Sequence, residues 1–288
     1  MMRLQLVSLA VVVAVAGCAA PRGPAIDTAA SVRRTSVAPT TGAPAAAEIY
    51  LSASDAHAWG ERSAIYSREL LDQGRYDVLD RRMNGYELAY EAGTLGENGL
   101  LRAFAPLTGA DPLLQPELNA WVRAFPGSYA AHLARGSSLF ALGAEARGRR
   151  SVEHTSDQQF ADMAVYYRRA QADLVRSESL SAKPLLTYNV LIRISMSVGD
   201  ARENRRLLDA ALQFAPTAIS VRRAYMRSLE TRWGGSLDQM LAFMEECRRA
   251  GLSAAQLASL QAIIDNERRT LACQRARAAA RQCSRASR

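Results

Sequence analysis

The sequence predicts an all-α protein: a helical-hairpin, right-handed solenoid of about ten helices, preceded by a disordered tether. Three observations predict it. Apolar residues recur at helical spacing from about residue 55 to residue 280. The runs are similar in length and separated by short breaks rich in Gly, Pro and Asp, as stacked helix pairs require. No period-2 run enriched in β-branched residues interrupts them, so strands are not expected.

The chain opens Met1-Met2-Arg3 and continues with the apolar "LQLVSLAVVVAVAG" (residues 4–17) up to Cys18. A charged start, an apolar stretch and small residues before a cleavage point predict a signal peptide over residues 1–17. The apolar run has 14 residues, too few to span a bilayer comfortably as a helix. Val15-Ala16-Gly17-Cys18 resembles the bacterial lipobox, which implies that Cys18 is lipidated and becomes the first residue. Three acyl chains there would exceed the two signals that stable membrane attachment needs. Ala19, in place of Asp, implies by the same resemblance an outer-membrane lipoprotein facing the periplasm. Residues 18–47, mostly Ala, Pro, Thr and Gly, cannot bury enough surface to fold and read as a lipid-anchored flexible linker.

From residue 48 to residue 250 the pattern is a helical-repeat domain. Helical segments are expected near 55–73, 76–93, 97–105, 114–125, 128–146, 157–179, 185–198, 201–214, 218–231 and 236–249, with 253–280 beyond them. In "YDVLDRRMNGYELAY", Tyr76, Leu79, Met83, Tyr86 and Tyr90 mark one apolar stripe. Breaks fall at Gly74, Gly93, Pro106, Pro126-Gly127, Gly148, Pro184, Gly199-Asp200, Pro216 and Gly234-Gly235. Asp157 and Ser236 stand where N-caps are wanted. Residues 251–288 read as a capping helix, carried by Leu257, Leu260, Ile264 and Leu271, that runs into a basic tail expected to fray.

The stretch Thr231-Arg232-Trp233-Gly234-Gly235-Ser236 is expected to be a structural turn. Trp233 packs one helix end against its neighbour, one glycine supplies a left-handed conformation, and the other lets the chain turn tightly. Ser236 then caps a helix whose inner face carries Met240, Phe243, Met244 and Cys247.

Two resemblances follow. In residues 185–218, Tyr188, Gly199-Asp200, Ala211 and Pro216 fall where a tetratricopeptide repeat has its first aromatic, inter-helix turn, small residue and closing proline. The fold is therefore expected to be tetratricopeptide-like. More narrowly, "GRYDVLD" (74–80), Trp121 with "FPGSYAAHLARGSSLFALGAEARG" (125–148), "YYRRAQADL" (166–174) and "YMRSLETRWGGSLDQMLAF" (225–243) resemble the bacterial family called domain of unknown function 4034, over roughly residues 65–250. That family carries no catalytic signature, so the resemblance implies a fold and no reaction. Its members usually have Pro before the Arg-Trp pair, where this chain has Thr231, leaving the helix end there less sharply fixed.

Familiar catalytic patterns are missing. "GGSLD" lacks the second glycine and the preceding strand of a nucleophile elbow. No phosphate-cradling loop, H-E-x-x-H or calcium loop occurs, and no cofactor is expected. Glu153, His154 and Asp157 in "SVEHTSDQQF" could offer metal ligands. A polar connection with Asp157 capping the next helix is favoured, so no metal site is expected.

The net charge of +8 is uneven: residues 266–288 hold seven arginines against one glutamate, leaving residues 18–265 close to neutral. Lys183 is the only lysine. Cys273 and Cys283 could pair only across a broken helix, because ten helical residues rise about 15 Å. The basic tail suits anionic lipid or lipopolysaccharide phosphate, at about 1 kcal/mol per Arg. Nucleic acid is not an expected partner, because export removes the protein from it. Tyr166, Arg169, Tyr188, Arg193 and Arg222 are the candidates for a binding face, with Arg168 as a further exposed arginine.

The expected function is that of a periplasm-facing scaffold lipoprotein that binds a protein or peptide partner in the cell envelope. The alternative is a hydrolase or lyase acting on envelope polymers, with Glu61, Glu69 or Glu153 as general acid. A buried, convergent carboxylate in a deep pocket would favour the alternative; an open groove of aromatics and arginines would favour the scaffold.

Overall fold

The computed structural model describes residues 65–150 and 152–286, with side chains through residue 276. The predicted signal peptide, Cys18, the linker over 18–47 and Glu61 lie outside the described residues.

The described residues form eleven α-helices and no strand. They are α1 (65–72), α2 (Tyr76–Glu91), α3 (Glu97–Phe104), α4 (Gln115–Ala124), α5 (Tyr129–Arg147), α6 (Asp157–Glu178), α7 (Leu185–Val198), α8 (Ala201–Phe214), α9 (Ile219–Ser228), α10 (Leu237–Arg249) and α11 (Ala254–Ala286). Short 3-10 turns occupy Ala105–Leu107, Pro112–Leu114, Val152–His154 and Thr231–Trp233. Each break expected from Gly and Pro falls between α-helices, Pro106 within the 3-10 turn Ala105–Leu107. Neighbours in sequence pack as pairs: α5 on α6, α7 on α8, α10 on α11. Links between pairs run α5 to α7, α7 to α9 and α9 to α11.

The longest contact, α5 with α6, depends on small residues in "HLARGSSLFALG". A Cβ at Gly136 would come 2.9 Å from the Leu174 side chain and 3.2 Å from the Ala170 carbonyl oxygen. Glycine therefore lets the two backbones approach closely. One residue before it, Arg135 clamps Asp173 of α6 through Nε and Nη2 at 2.7 and 2.6 Å. The His132 ring adds a third contact to Asp173 at 2.9 Å. Burial alone would raise the Asp173 carboxyl, but the hydrogen bonds from His132 and Arg135 outweigh it and hold the group below its ordinary value.

Caps set the boundaries. Ser128 accepts from Ala131 N at the start of α5, Asp200 from Glu203 N at α8, and Ser236 from Gln239 N at α10. At α6 the cap is Ser156, which forms a reciprocal capping box with Gln159. Asp157, expected as the cap, is instead the first helical residue, because serine one position earlier already satisfies the N3 amide.

The corner at 231–236 serves as a turn. Gly234 has φ 87° and stops the 3-10 turn, while a Cβ at Gly235 would lie 2.2 Å from the Leu229 carbonyl oxygen. Met240, Phe243, Met244 and Cys247 are all buried. Thr231, standing where the resemblance implies proline, donates from both N and Oγ1 to Glu267 Oε1 of α11 at 2.9 and 2.5 Å. Proline could make neither bond. The helix end is therefore fixed through α11.

α11 runs without a break to Ala286, so the capping helix and the basic segment up to that point form one helix. Its run of Ala and Arg has high intrinsic helix propensity, which sustains the helix beyond its buried anchors Leu260, Ile263 and Ile264. Cys273 and Cys283 consequently sit about 15 Å apart along one helix, beyond the reach of a disulfide within the chain.

Candidate functional site

Two hollows in the helical domain carry chemistry. Both are organised by the α2–α3 corner, which runs past the leading ends of three later helices. Asn84 Oδ1 accepts from Ala130 N at the start of α5. Glu91 Oε1 accepts from Ala182 N in the turn entering α7, and Lys183 Nζ returns a bond to the Glu91 carbonyl at 2.6 Å. Glu97 accepts from Ile219 N and Ser220 N at the start of α9, at 2.9 and 2.5 Å. Helix N-termini expose unpaired N–H groups and partial positive charge, which a carboxylate satisfies on both counts.

The first hollow is a groove shared by α3, α5, α7 and α9. Leu101, Phe104, Phe140, Leu186 and Val190 line its apolar end, of about 170 Å³. Asn98, Met196, Ser220, Arg223 and Arg227 line its polar end, of about 450 Å³. Leu101, Asn189 and Arg193 belong to both ends, which makes the groove continuous. The Arg193 guanidinium lies over the Phe140 ring, 4.5 Å from its centre, and Phe140 in turn stacks on Tyr167 at 5.2 Å. A cation held by a ring face keeps its edge N–H donors free. Solvent reaches Arg193, yet the walls of the groove crowd it. That desolvation first, and the Arg227 charge after it, pull the guanidinium below its ordinary value, with Tyr167 acting in the other direction. Arg223 and Arg227, four residues apart on α9, repel each other by about 0.2–0.5 kcal/mol. No carboxylate lines this groove.

The second hollow, about 590 Å³, lies between α2, the turn before α5 and the turn before α7. Asp80, Glu87 and Glu91 contribute three carboxylates, with no lysine or arginine in the lining. Asp80 is committed to the Trp121 indole N–H and the Asn84 amide. Glu87 is buried at 3 % exposure and touches Ser181 Oγ at 2.7 Å through Oε1. Burial, with the charge of Glu91 adding, pushes the Glu87 carboxyl up to about 7, against the Ser181 hydrogen bond and the nearby Tyr129 hydroxyl, which faces it without good hydrogen-bond geometry. Its Oε2, and the hydroxyl of the buried Tyr129, have no well-formed hydrogen bond.

The expected binding-face residues are only partly brought together. Arg193 lies in the groove. Tyr188 is buried, stacked against Phe214 and bonded through its hydroxyl to Glu178. Arg222, expected to be exposed, is buried at 3 % exposure and caps the Pro216 and Ala218 carbonyls. Its job is to close the end of the α8–α9 turn. Tyr166 packs beside Gly143, and Arg168 and Arg169 are exposed on α6. None of these three lines the arginine groove, though Arg168 borders a separate hollow with Gln171 and Glu203. Trp233 is partly buried beneath Arg147 and Arg232. Glu69 and Glu153 are both exposed, and no group of three or more His, Cys, Asp or Glu placed to hold a metal ion occurs among the described residues.

Glu87, Arg223 and Arg227 were not singled out by the sequence. A signal for Glu87 existed: it follows Met83 by four residues and so places a carboxylate on the buried stripe of α2.

The family model described as Domain of unknown function (DUF4034) matches residues 64–203. That span contains the "FPGSYAAHLARG" block with Gly136, and it ends before the "RWGGS" corner. No curated protein and no solved structure matches the chain.

Proposed function

We propose, for a chain whose residues 64–203 match the family model described as Domain of unknown function (DUF4034), that the protein is a lipid-anchored binding module of the cell envelope. Its groove across α3, α5, α7 and α9 takes an acidic segment of a partner protein. The observation that carries this reading is the meeting of Arg193, Arg223 and Arg227 in one groove with no carboxylate among its lining residues. Phe104 and Phe140 beside them supply an apolar end for the same segment. Pairing of α5 with α6 and α7 with α8 supports a tetratricopeptide-like array, whose helices present such grooves to extended peptides.

Anchoring rests on the sequence: the lipobox-like Val15–Cys18 and the linker over 18–47 would tether the domain to the periplasmic face of the outer membrane. The arginines beyond residue 266 would draw the end of α11 toward anionic lipid or lipopolysaccharide.

The test uses the full chain carrying Cys18→Ala and a fluorescent ten-residue glutamate peptide. Exposed ion pairs are worth about 0.2–1 kcal/mol each, so Arg193→Ala/Arg223→Ala/Arg227→Ala weakens binding roughly tenfold. Arg168→Ala/Arg169→Ala leaves it unchanged. Equal binding by both variants removes the groove from the account.

The alternative, an acid-catalysed hydrolase or lyase, draws support from one observation, the buried Glu87 held near neutral pH. Such chemistry needs a second free group across the cleft. Both oxygens of Asp80 are bonded within the fold, and Glu91 serves the α7 turn. Binding is the better reading.

A further inference from the structure

We propose that the cleft beside α2 is a second binding site, specific for a ligand bearing a primary ammonium group, which Glu87 and Tyr129 receive. It stands on different residues from the arginine groove and does not depend on it.

A proton count gives the first argument. Ser181 Oγ lies 2.7 Å from Glu87 Oε1 and 2.8 Å from Glu91 Oε1, and it also accepts from Lys183 N. Two short oxygen–oxygen contacts need two protons, and a serine hydroxyl supplies one. Without a ligand, the second proton sits on Glu87, whose burial favours the neutral form. The site is thus held by a proton that a stronger cationic donor can displace.

The second argument is the unmet hydrogen-bonding capacity. Glu87 and Tyr129 each line the cleft and each is only 3 % exposed; Glu87 Oε2 and the Tyr129 hydroxyl lie near one another, with Thr187 also beside the hydroxyl, yet neither atom has a well-formed hydrogen bond. A buried acceptor without a donor costs about 1–3 kcal/mol, which an incoming N–H group recovers. An ammonium offers three donors from one point, enough for a carboxylate oxygen and a phenol oxygen together.

The third argument is charge. The groups facing Glu87 are Glu91 on its own helix, Tyr129 of α5, and Ser181 in the turn before α7. Asp80 lies about two turns earlier on α2 and lines the same cleft. Lys183, in the turn before α7, is turned to the Glu91 carbonyl and lines no part of the cleft. Leu88, Phe125, Pro126 and Leu180 add apolar wall for a short methylene chain. A lysine side chain of a peptide and a free polyamine share this chemistry.

Binding then releases the Glu87 proton: the carboxyl O–H breaks, the proton leaves to solvent, the Ser181 hydroxyl keeps its proton for one of its two carboxylate contacts while the other lengthens, and the Glu87 carboxylate pairs with the ammonium. Calorimetry on the full chain carrying Cys18→Ala tests this with cadaverine, spermidine and a lysine-rich peptide, in two buffers of different ionisation enthalpy. The expected result is binding of at least one amine with about one proton released below pH 7. Affinity should rise close to tenfold per pH unit up to about 7 and level off above it. Glu87→Gln should lose the affinity at pH 8 and the proton release, and Tyr129→Phe should weaken binding with the release intact. Binding of the small amines marks a polyamine as occupant, and binding of the peptide alone marks a protein lysine. Arg193→Ala/Arg223→Ala/Arg227→Ala should bind amines as the parent does, which separates this site from the groove. Failure of all three probes to bind at millimolar concentration, or unchanged binding by Glu87→Gln, overturns the proposal.

Discussion

Arg193 rests its guanidinium on the face of Phe140, with the ring centre 4.5 Å away, across the gap between α7 and α5. The contact fixes the charge without neutralising it. An arginine paired to a carboxylate would offer a ligand little, whereas one stacked on a ring keeps its edge donors available.

Gly136 sets the distance between α5 and α6. Gly136→Ala forces Leu174 and the Ala170 carbonyl apart, at a cost of about 1–3 kcal/mol for overpacking. Thermal unfolding should show a lower Tm, whereas Gly127→Ala, at a position with open space around it, should shift it far less.

Glu97 joins α3 to α9. Glu97→Ala removes the acceptor for Ile219 N and Ser220 N and should cost about 0.5–2 kcal/mol, the range of a lost N-cap. Hydrogen exchange should quicken at the amides of residues 219 and 220 before it does elsewhere in α9.

Asp173 and Glu87 make opposite contributions to the pH dependence of stability. Asp173 is held below its unfolded value, so its stabilisation is present above about pH 4 and is lost as pH falls through the folded value. Glu87 is raised to about 7, so the folded state binds the extra proton and stability falls as pH rises from about 4 through 7. Urea unfolding at pH 5 and pH 8 should show the parent losing stability over that interval. Glu87→Gln should lose less.

Anchoring is testable on its own. Cys18→Ala should abolish labelling by a fatty-acid analogue and move the protein from the membrane fraction to the soluble one.

Much of the fold was legible because helix ends are local. Ser128, Asp200 and Ser236 cap their helices with their own side chains, and Gly234 turns the chain with its own backbone. The stripe Leu79, Met83 and Tyr86 is buried as its spacing requires. The sites were less legible because they join distant segments. Glu87 meets Ser181 across 94 positions, and Glu97 reaches Ser220 across 123. Helical spacing shows that Arg222 and Arg223 point to different faces, but not which face is covered. Only the folded structure shows that Arg222 is buried against the Pro216 and Ala218 carbonyls and Cys247 of α10, while Arg223 lines the groove.

The most direct test of the binding account is charge reversal in the groove. Affinity for the ten-residue glutamate peptide is measured against that for a lysine peptide of equal length, with the chain carrying Cys18→Ala, before and after Arg193→Glu/Arg223→Glu/Arg227→Glu. The parent should bind the glutamate peptide, more weakly as salt rises, and the reversed protein should lose at least tenfold in that affinity. A reversed protein that binds the glutamate peptide as tightly as its parent would contradict the account.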